Sequence, residues 1–277
     1  EIKKSVFESN DREAEKLRAE LKAEKTFLVN LMSSPGSGKT TTLRGIIGRL
    51  QQEMRIGVME ADIDSDVDAK TIAETGVRAI QLHTGGMCHL DAGMTRQGVE
   101  NLGTADLDLV FLENVGNLVC PAEFDTGAAK NMMILSVPEG DDKPLKYPLM
   151  FTVSDVVLIN KMDTKSVFDF DDQAVQERIL KLNPQAKIFF ISAKTGEGVP
   201  ELLACIDKKL DKGTRRVTLH LPYDKAGLLD GLYREAKVES VEYAASIDVV
   251  AVCPPKVLGQ VKDYVEGWHE EREDWEL

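Results

Sequence analysis

A chain of 277 residues, 43% hydrophobic and 29% charged, can bury a core without disulfide staples, which excludes wholesale disorder. Its net charge of -13 excludes a general nucleic-acid binder, because a phosphate backbone demands a basic footprint. No apolar run reaches the length of a membrane span, and the charged opening stretch 1–25 has no signal-peptide core, so a reducing, cytoplasmic setting is expected. The 4 cysteines, Cys88, Cys120, Cys205 and Cys253, then read as buried or metal-binding rather than disulfide-bonded.

In chain order, Asp11–Glu24 is polar and rich in helix formers, with Leu17 and Leu21 on one stripe, and predicts an amphipathic helix. Thr26–Met32 is a short apolar run of the buried-strand type, followed by a Gly/Ser turn and helical spacing over Thr40–Gln52. The alternation continues with strand Arg55–Glu60, helix Asp68–Thr75, strand Ala79–Leu82, helix Leu90–Leu102 and strand Leu107–Glu113. Strand Val153–Asn160, helix Asp172–Leu182, strand Lys187–Ser192 and helix Gly198–Leu210 follow. Such alternation predicts an α/β fold, a mostly parallel, doubly wound sheet with helices on both faces. Past Lys212 and Gly213 the rhythm becomes βαββα: strand Arg216–Leu221, helix Lys225–Ala236, strands Val238–Tyr243 and Ile247–Cys253, and helix Lys256–His269. The expected organisation is a helical extension over 1–25, a large α/β domain over 26–212, which the motifs that follow make a P-loop GTPase domain of the P-loop NTPase fold, and a small α+β domain over 213–277.

The stretch Ser33–Thr40 (SSPGSGKT) falls between a strand and a helix. A phosphate chain needs several backbone N–H groups converging on it, and only a glycine-rich turn lets the backbone come close enough. Gly36, Ser37, Gly38, Lys39, Thr40 and Thr41 are therefore candidate nucleotide contacts. The helix start offers its amides and positive dipole end to the anion. Lys39 reaches the β- and γ-phosphates, and Thr40 offers its hydroxyl to Mg²⁺. Ser33 stands where the usual pattern has Gly.

Asn160–Asp163 (NKMD) ends an apolar strand. A carboxylate at Asp163 can accept two hydrogen bonds from guanine N1 and N2, which adenine cannot supply. Asn160 would brace the loop, the Lys161 stem would cover the ring, and the turn Ser192, Ala193 and Lys194 would meet the base carbonyl. The order of these signals selects GTP over ATP. Between them, Glu113 at a strand end, followed by Asn114, Val115 and Gly116, stands where a Mg²⁺-linked carboxylate and a γ-phosphate-sensing glycine are expected. Asp62 is the candidate second carboxylate near Mg²⁺. Asp64 and Asp66 read as a solvated acidic loop, and Asp68 as a helix cap or part of that loop.

Cys88 and His89 precede one predicted helix, and Cys120 follows the Glu113 strand. Both loops leave carboxyl ends of strands, where ligand sites of open α/β sheets gather. Thiolate and imidazole suit Zn²⁺ or Ni²⁺, although a Cys–His pair is as often structural. One chain offers only three such ligands, and a symmetric dimer could pool two sets.

Over residues 26–210 the chain resembles the HypB family, the nickel-inserting GTPases of hydrogenase maturation within the SIMIBI class. The resemblance is carried by Ser33–Thr40, Gly86–Ala92 (GMCHLDA), Glu113–Pro121 (ENVGNLVCP), Glu139–Pro148 (EGDDKPLKYP) and Asn160–Asp163. It implies a metal site of Cys88, His89 and Cys120 at a GTP-dependent dimer interface. It also implies a GTP-hydrolysing metallochaperone acting with a hydrogenase precursor and a second nickel-handling maturation protein, with Lys39 and Glu113 serving the hydrolysis. This sequence departs from the pattern in having no Cys before Cys88 and no His before His83, where many members carry a metal-rich segment. Metal is then held by the interface site alone or arrives from a partner. Ala61, Ser65 and Thr71 replace a usual Gly, Thr and Arg; His83 replaces a usual Asn and reads as a strand-end polar residue. The C-terminal part, including Val217–Tyr223, is similar to the small domain after the G domain in the HflX family, but its 13 Asp/Glu against 8 Lys/Arg from Gly213 onward do not favour rRNA. The competing expectations are a ribosome- or RNA-associated regulatory GTPase with structural cysteines, and an ATP-dependent kinase sharing the P-loop.

Overall fold

The computed structural model describes residues 2–62, 72–210 and 215–266; the side chains of residues 2–4, 62, 207–210, 215, 216, 255 and 256 lie outside that description. The chain forms two compact units, Glu1–Cys205 and Ile206–Leu277. The first takes in the N-terminal helix, and the division falls somewhat before the boundary expected at 212.

In the first unit, helix α1 (Ile2–Glu24) leads to β1 (Phe27–Ser33), α2 (Lys39–Leu50), β2 (Ile56–Asp62), β3 (Arg78–His83), α3 (Ala92–Leu102) and β4 (Leu109–Glu113). A short helix α4 (Cys120–Glu123), β5 (Lys130–Ser136), the short helices α5 (Lys143–Lys146) and α6 (Pro148–Thr152), β6 (Val156–Asn160), α7 (Asp172–Leu182), β7 (Lys187–Phe190) and α8 (Val199–Leu210), which begins before the division and ends after it, follow. The strands make one 7-stranded sheet in the order β3-β2-β4-β1-β5-β6-β7, with every pairing parallel. The helix expected over Asp68–Thr75 begins in the segment 63–71, outside the described residues.

One central strand was not anticipated. β5 lies between β1 and β6, with Met132 paired to Leu31 and to Val156. Its run KNMMILS is buried from Met132 onward; a strand covered on both faces shows no period-2 alternation, and paired methionines carry little β-signal.

The sheet's two faces are covered differently. On one, Leu17 and Leu21 of α1 join Leu28, Val110, Leu112 and Val99 of α3. On the other, Met133, Leu135, Phe151, Val157, Val175 and Ile179 pack together. Each such fully buried aliphatic or aromatic side chain contributes about 1.5–3 kcal/mol. A polar ladder crosses the sheet centre: Asn114 Nδ2 donates to Asn30 Oδ1 and Asn30 Nδ2 to Asn131 Oδ1, each at 3.0 Å. Asn131 Nδ2 then donates to the Val153 carbonyl at 3.1 Å. Buried amides hold their free energy only when so paired, and the pairing fixes the register of β4, β1 and β5.

The second unit is an antiparallel sheet in the order β8-β10-β9, made of β8 (Arg215–Leu221), β9 (Lys237–Tyr243) and β10 (Ile247–Cys253). Helices α9 (Gly227–Glu235) and α10 (Pro255–Val261) complete it. Alternate residues of β10 are buried, and Leu219, Val249, Ala251, Leu232 and Leu258 form its core. The last helix, expected to run to His269, ends at Val261 and gives way to a 3-10 turn, Lys262–Tyr264.

Candidate functional site

The carboxyl ends of β1, β4, β5 and β6 meet around the glycine loop. Gly36 and Gly38 have φ of 75° and 98°, a region only glycine enters without strain. Gly38 is also a point of close approach, since a Cβ there would lie 2.6 Å from Asn160 Nδ2. Asn160 is buried; its Nδ2 donates to the Ser37 carbonyl at 2.9 Å and its Oδ1 accepts from Ala193 N at 3.0 Å. One amide thus ties the phosphate loop to the turn after β7. Lys161 has φ of 63°, unusual for a non-glycine residue, and its Nζ donates to the Gly36 carbonyl at 2.7 Å. Its stem therefore runs along the pocket. Asp163 is exposed, and one carboxylate oxygen accepts from Ser192 Oγ at 2.7 Å.

At the start of α2, Thr40 Oγ1 donates to Glu113 Oε1 at 3.0 Å, with Glu113 only 2% exposed. A hydroxyl and a carboxylate in contact are the hard-oxygen pair that suits Mg²⁺. Just past Glu113, a Cβ on Gly116 would sit 3.2 Å from Pro35 N and 3.1 Å from Pro35 Cγ, so the loop after β4 rests directly on the phosphate loop. Asp62 ends β2, but its side chain lies outside the described residues, as do Asp64, Asp66 and Asp68. Lys39 and Thr41 lie in the first turn of α2, Thr41 exposed, and Lys194 is exposed in the turn after β7.

Two contributors carried no expected role. Thr42 is buried, its Oγ1 donating to the Gly38 carbonyl at 2.8 Å and accepting from Asn160 at 3.5 Å. Glu139 lies at the end of the 3-10 turn after β5; it accepts from Ser34 Oγ of the phosphate loop and, at 2.6 Å, from Ser136 Oγ. The sequence signal for it was the Ser136–Glu139 capping-box spacing.

The loops before α3 and after β4 bring the two cysteines together. Cys88 Sγ lies 2.7 Å from Cys120 Sγ, both thiols free, and 4.0 Å from His89 Nδ1. Asn117 accepts from Val119 N at 2.7 Å and from Cys120 N at 3.4 Å, which shapes the second loop. The adjacent Cys88 thiol, then burial, push the Cys120 thiol above its usual range, as expected where a second thiolate would face a first. Burial pushes the His89 imidazole down, against the pull of Asp91 and Glu123. Among the described residues no group of three His, Cys, Asp or Glu side chains closes around one point. Met87 and Val119, beside the cysteines, are 39% and 50% exposed. His83 is exposed at the end of β3.

A glycine-rich loop between a central parallel strand and a helix, with a second loop bracing it from two strands away, defines a P-loop nucleotide-binding fold. Residues 27–190 match the family described as CobW/HypB/UreG, nucleotide-binding domain, and the chain belongs to that family. It is 47% identical over 209 residues to hydrogenase maturation factor HypB of Azotobacter chroococcum mcd 1, covering 76% of this chain and 68% of that protein. To HypB of Escherichia coli (strain K12) it is 44% identical over 203 residues, covering 73% and 70%. The crystal structure of HypB from Helicobacter pylori in complex with nickel superposes with a TM-score of 0.69 at 39% identity, covering 74% of this chain and 96% of that one. HypB from Archaeoglobus fulgidus gives 0.69 at 37% identity, covering 73% and 99%. No helix among the described residues is long and apolar enough to cross a membrane.

Proposed function

We propose that this protein is a GTP-hydrolysing metallochaperone that delivers nickel during maturation of nickel–iron hydrogenases, working in the cytoplasm. The observation that carries the reading is the loop Asn114–Val119. It begins at Glu113, passes against Pro35 of the phosphate loop at Gly116, and ends at Cys120, whose thiol meets Cys88. The nucleotide and metal edges therefore share one segment, as a switch biased by the γ-phosphate requires.

At the nucleotide edge, the amides of Gly36–Thr41 would cradle the phosphates and Lys39 would neutralise charge on them as the terminal bond breaks. Thr40 and Glu113 would hold a magnesium ion, which when bound supplies further charge neutralisation at the phosphates. Asp163, fixed by Ser192, would accept from guanine N1 and N2, while Lys161 covers the ring and Ala193 and Lys194 border the base. At the metal edge, Cys88, Cys120 and His89 would carry nickel, the cargo, or Zn²⁺. One chain offers an incomplete set beside exposed Met87 and Val119, which supports completion by a second copy when GTP is bound. A hydrogenase precursor and a second nickel-handling maturation protein would be the partners.

Calorimetry of GDP and ADP in magnesium buffer tests the nucleotide reading. Wild type should bind GDP far more tightly, and Asp163→Asn should lose at least tenfold in GDP affinity, since a charge-assisted hydrogen bond contributes about 1.5–3 kcal/mol. Equal affinities for GDP and ADP in the wild type would overturn it.

A further inference from the structure

Helix α1 bonds to the residues that immediately follow both thiol-bearing segments. Asn10 Oδ1 accepts from Ala92 N at 2.9 Å, at the start of α3 just after the Cys88–His89 loop. Asn10 Nδ2 donates to the Asp125 carbonyl at 2.9 Å, just past Cys120 and α4. A single side-chain amide so spans the two segments whose thiols meet. One turn earlier, the Phe7 ring lies 4.9 Å from that of Phe124 at 40°. Phe124 in turn stacks on the His89 imidazole, 3.9 Å away and at 15°. Further along α1, Arg18 grips both carboxylate oxygens of Asp125 at 2.6 and 2.7 Å and the Ala128 carbonyl at 2.9 Å, which holds the helix in place against the second loop.

We propose that α1 is the positioning clamp of the thiol pair. Asn10 fixes the Cys88 loop against the Cys120 loop, and Phe7 sets the plane of His89 through Phe124. The inference rests on the reading of Cys88, Cys120 and His89 as a nickel-carrying set, and it assigns that set's geometry to a helix that precedes the segment matched by the family, residues 27–190. The physical reason is preorganisation. Cysteines 32 positions apart in sequence sit on separate loops. Ordering two loops at the moment of binding subtracts from affinity, and a contact that orders them beforehand removes that cost. Groups that orient metal ligands without touching the metal typically change affinity about 10–100-fold when removed.

The test uses the full chain as wild type, Asn10→Ala, Asn10→Asp, Glu15→Ala and Cys88→Ala/Cys120→Ala. Glu15 is exposed on α1 and serves as the control. Nickel is titrated alone and followed by the thiolate-to-nickel absorption band. Dibromobimane, fluorescent once both arms are alkylated, reports thiol proximity without metal. Asn10→Ala should weaken nickel about tenfold, shift the band and slow the double alkylation, with GDP affinity unchanged. Glu15→Ala should match wild type. Asn10→Asp keeps the acceptor for Ala92 N but sets an oxygen against the Asp125 carbonyl, so it should also weaken nickel, and it decides the matter if Asn10→Ala fails to fold. Wild-type nickel affinity and alkylation in the Asn10 variants, with both lost in the double cysteine variant, overturn the clamp. Equally weak nickel binding by wild type and the double cysteine variant would instead overturn the metal reading, and the alkylation rate would still judge the clamp.

Discussion

Around the glycine loop, side chains from three strand ends already grip one another, whereas the thiol pair at the neighbouring strand ends is open on one side. Asn160, Lys161 and Glu139 each bond to the phosphate loop, and Thr40 is bonded to Glu113. Cys88 and Cys120 meet each other, with His89 at 4.0 Å and exposed Met87 and Val119 on the rim. Both sets are ordered within one chain, the thiol pair through α1 as proposed above, and the difference lies in closure: the glycine loop is gripped from several sides, and the thiol pair is left open at its rim. An open donor set beside apolar surface suits a cargo that must also leave. Under the proposed function, a nucleotide pocket complete in one chain and a transfer site that gains from a second copy are what this contrast would serve.

The sharpest way to break this comparison is to strike the segment common to both edges. A Cβ at residue 116 would press on the Pro35 backbone at 3.2 Å, where little can give. Overpacking of that kind typically costs about 1–3 kcal/mol. Gly116→Ala should therefore weaken binding of a non-hydrolysable GTP analogue about tenfold, should weaken GDP less, and should disturb nickel uptake as well. Calorimetry with both nucleotides checks this, and an unchanged affinity for the GTP analogue would show that the two edges are independent.

A smaller effect is expected in the second unit. There the Asp248 carboxylate, 2.8 Å from His220 Nδ1, raises the imidazole above its usual value, with Glu266 adding to the pull. A raised folded-state value means the charged pair stabilises at pH below the ordinary histidine value of 6.5 and that this contribution fades as pH climbs through the folded-state value. The pair is half exposed, so the gain is modest. Titration of the His220 ring protons by NMR should give a midpoint above 6.5, and the melting temperature of His220→Gln should fall below wild type only on the acidic side. A midpoint at or below the ordinary value would remove the effect.

The packing around the glycine loop was largely legible because its signals are local. A glycine turn between strand and helix, and an NKMD at a strand end, announce themselves in short windows, and the structure brings Gly36, Gly38, Asn160 and Lys161 into contact. Central strand β5 was not legible, since a strand buried on both faces lacks the alternation that marks a half-buried one. The Ser136–Glu139 spacing announced a cap but not the contact of Glu139 with Ser34, and neither the Thr42–Asn160 contact nor the Asn30–Asn114–Asn131 ladder could be read, because those partners lie far away in sequence and only the sheet order brings them near. Asn10 sits within a polar helix where its type says nothing. Its meaning comes from Ala92 and Asp125. The Asp62 side chain, and Asp64, Asp66 and Asp68 in the segment 63–71, lie outside the described residues.

The most direct measurement of the central claim is the native mass and metal content of the full chain, loaded in turn with GDP and with a non-hydrolysable GTP analogue in the presence of nickel. The account predicts a shift toward a dimer with the GTP analogue, with nickel retained on that dimer and lost from a Cys88→Ala/Cys120→Ala variant. A protein of the same mass and the same nickel content in both nucleotide states would contradict it.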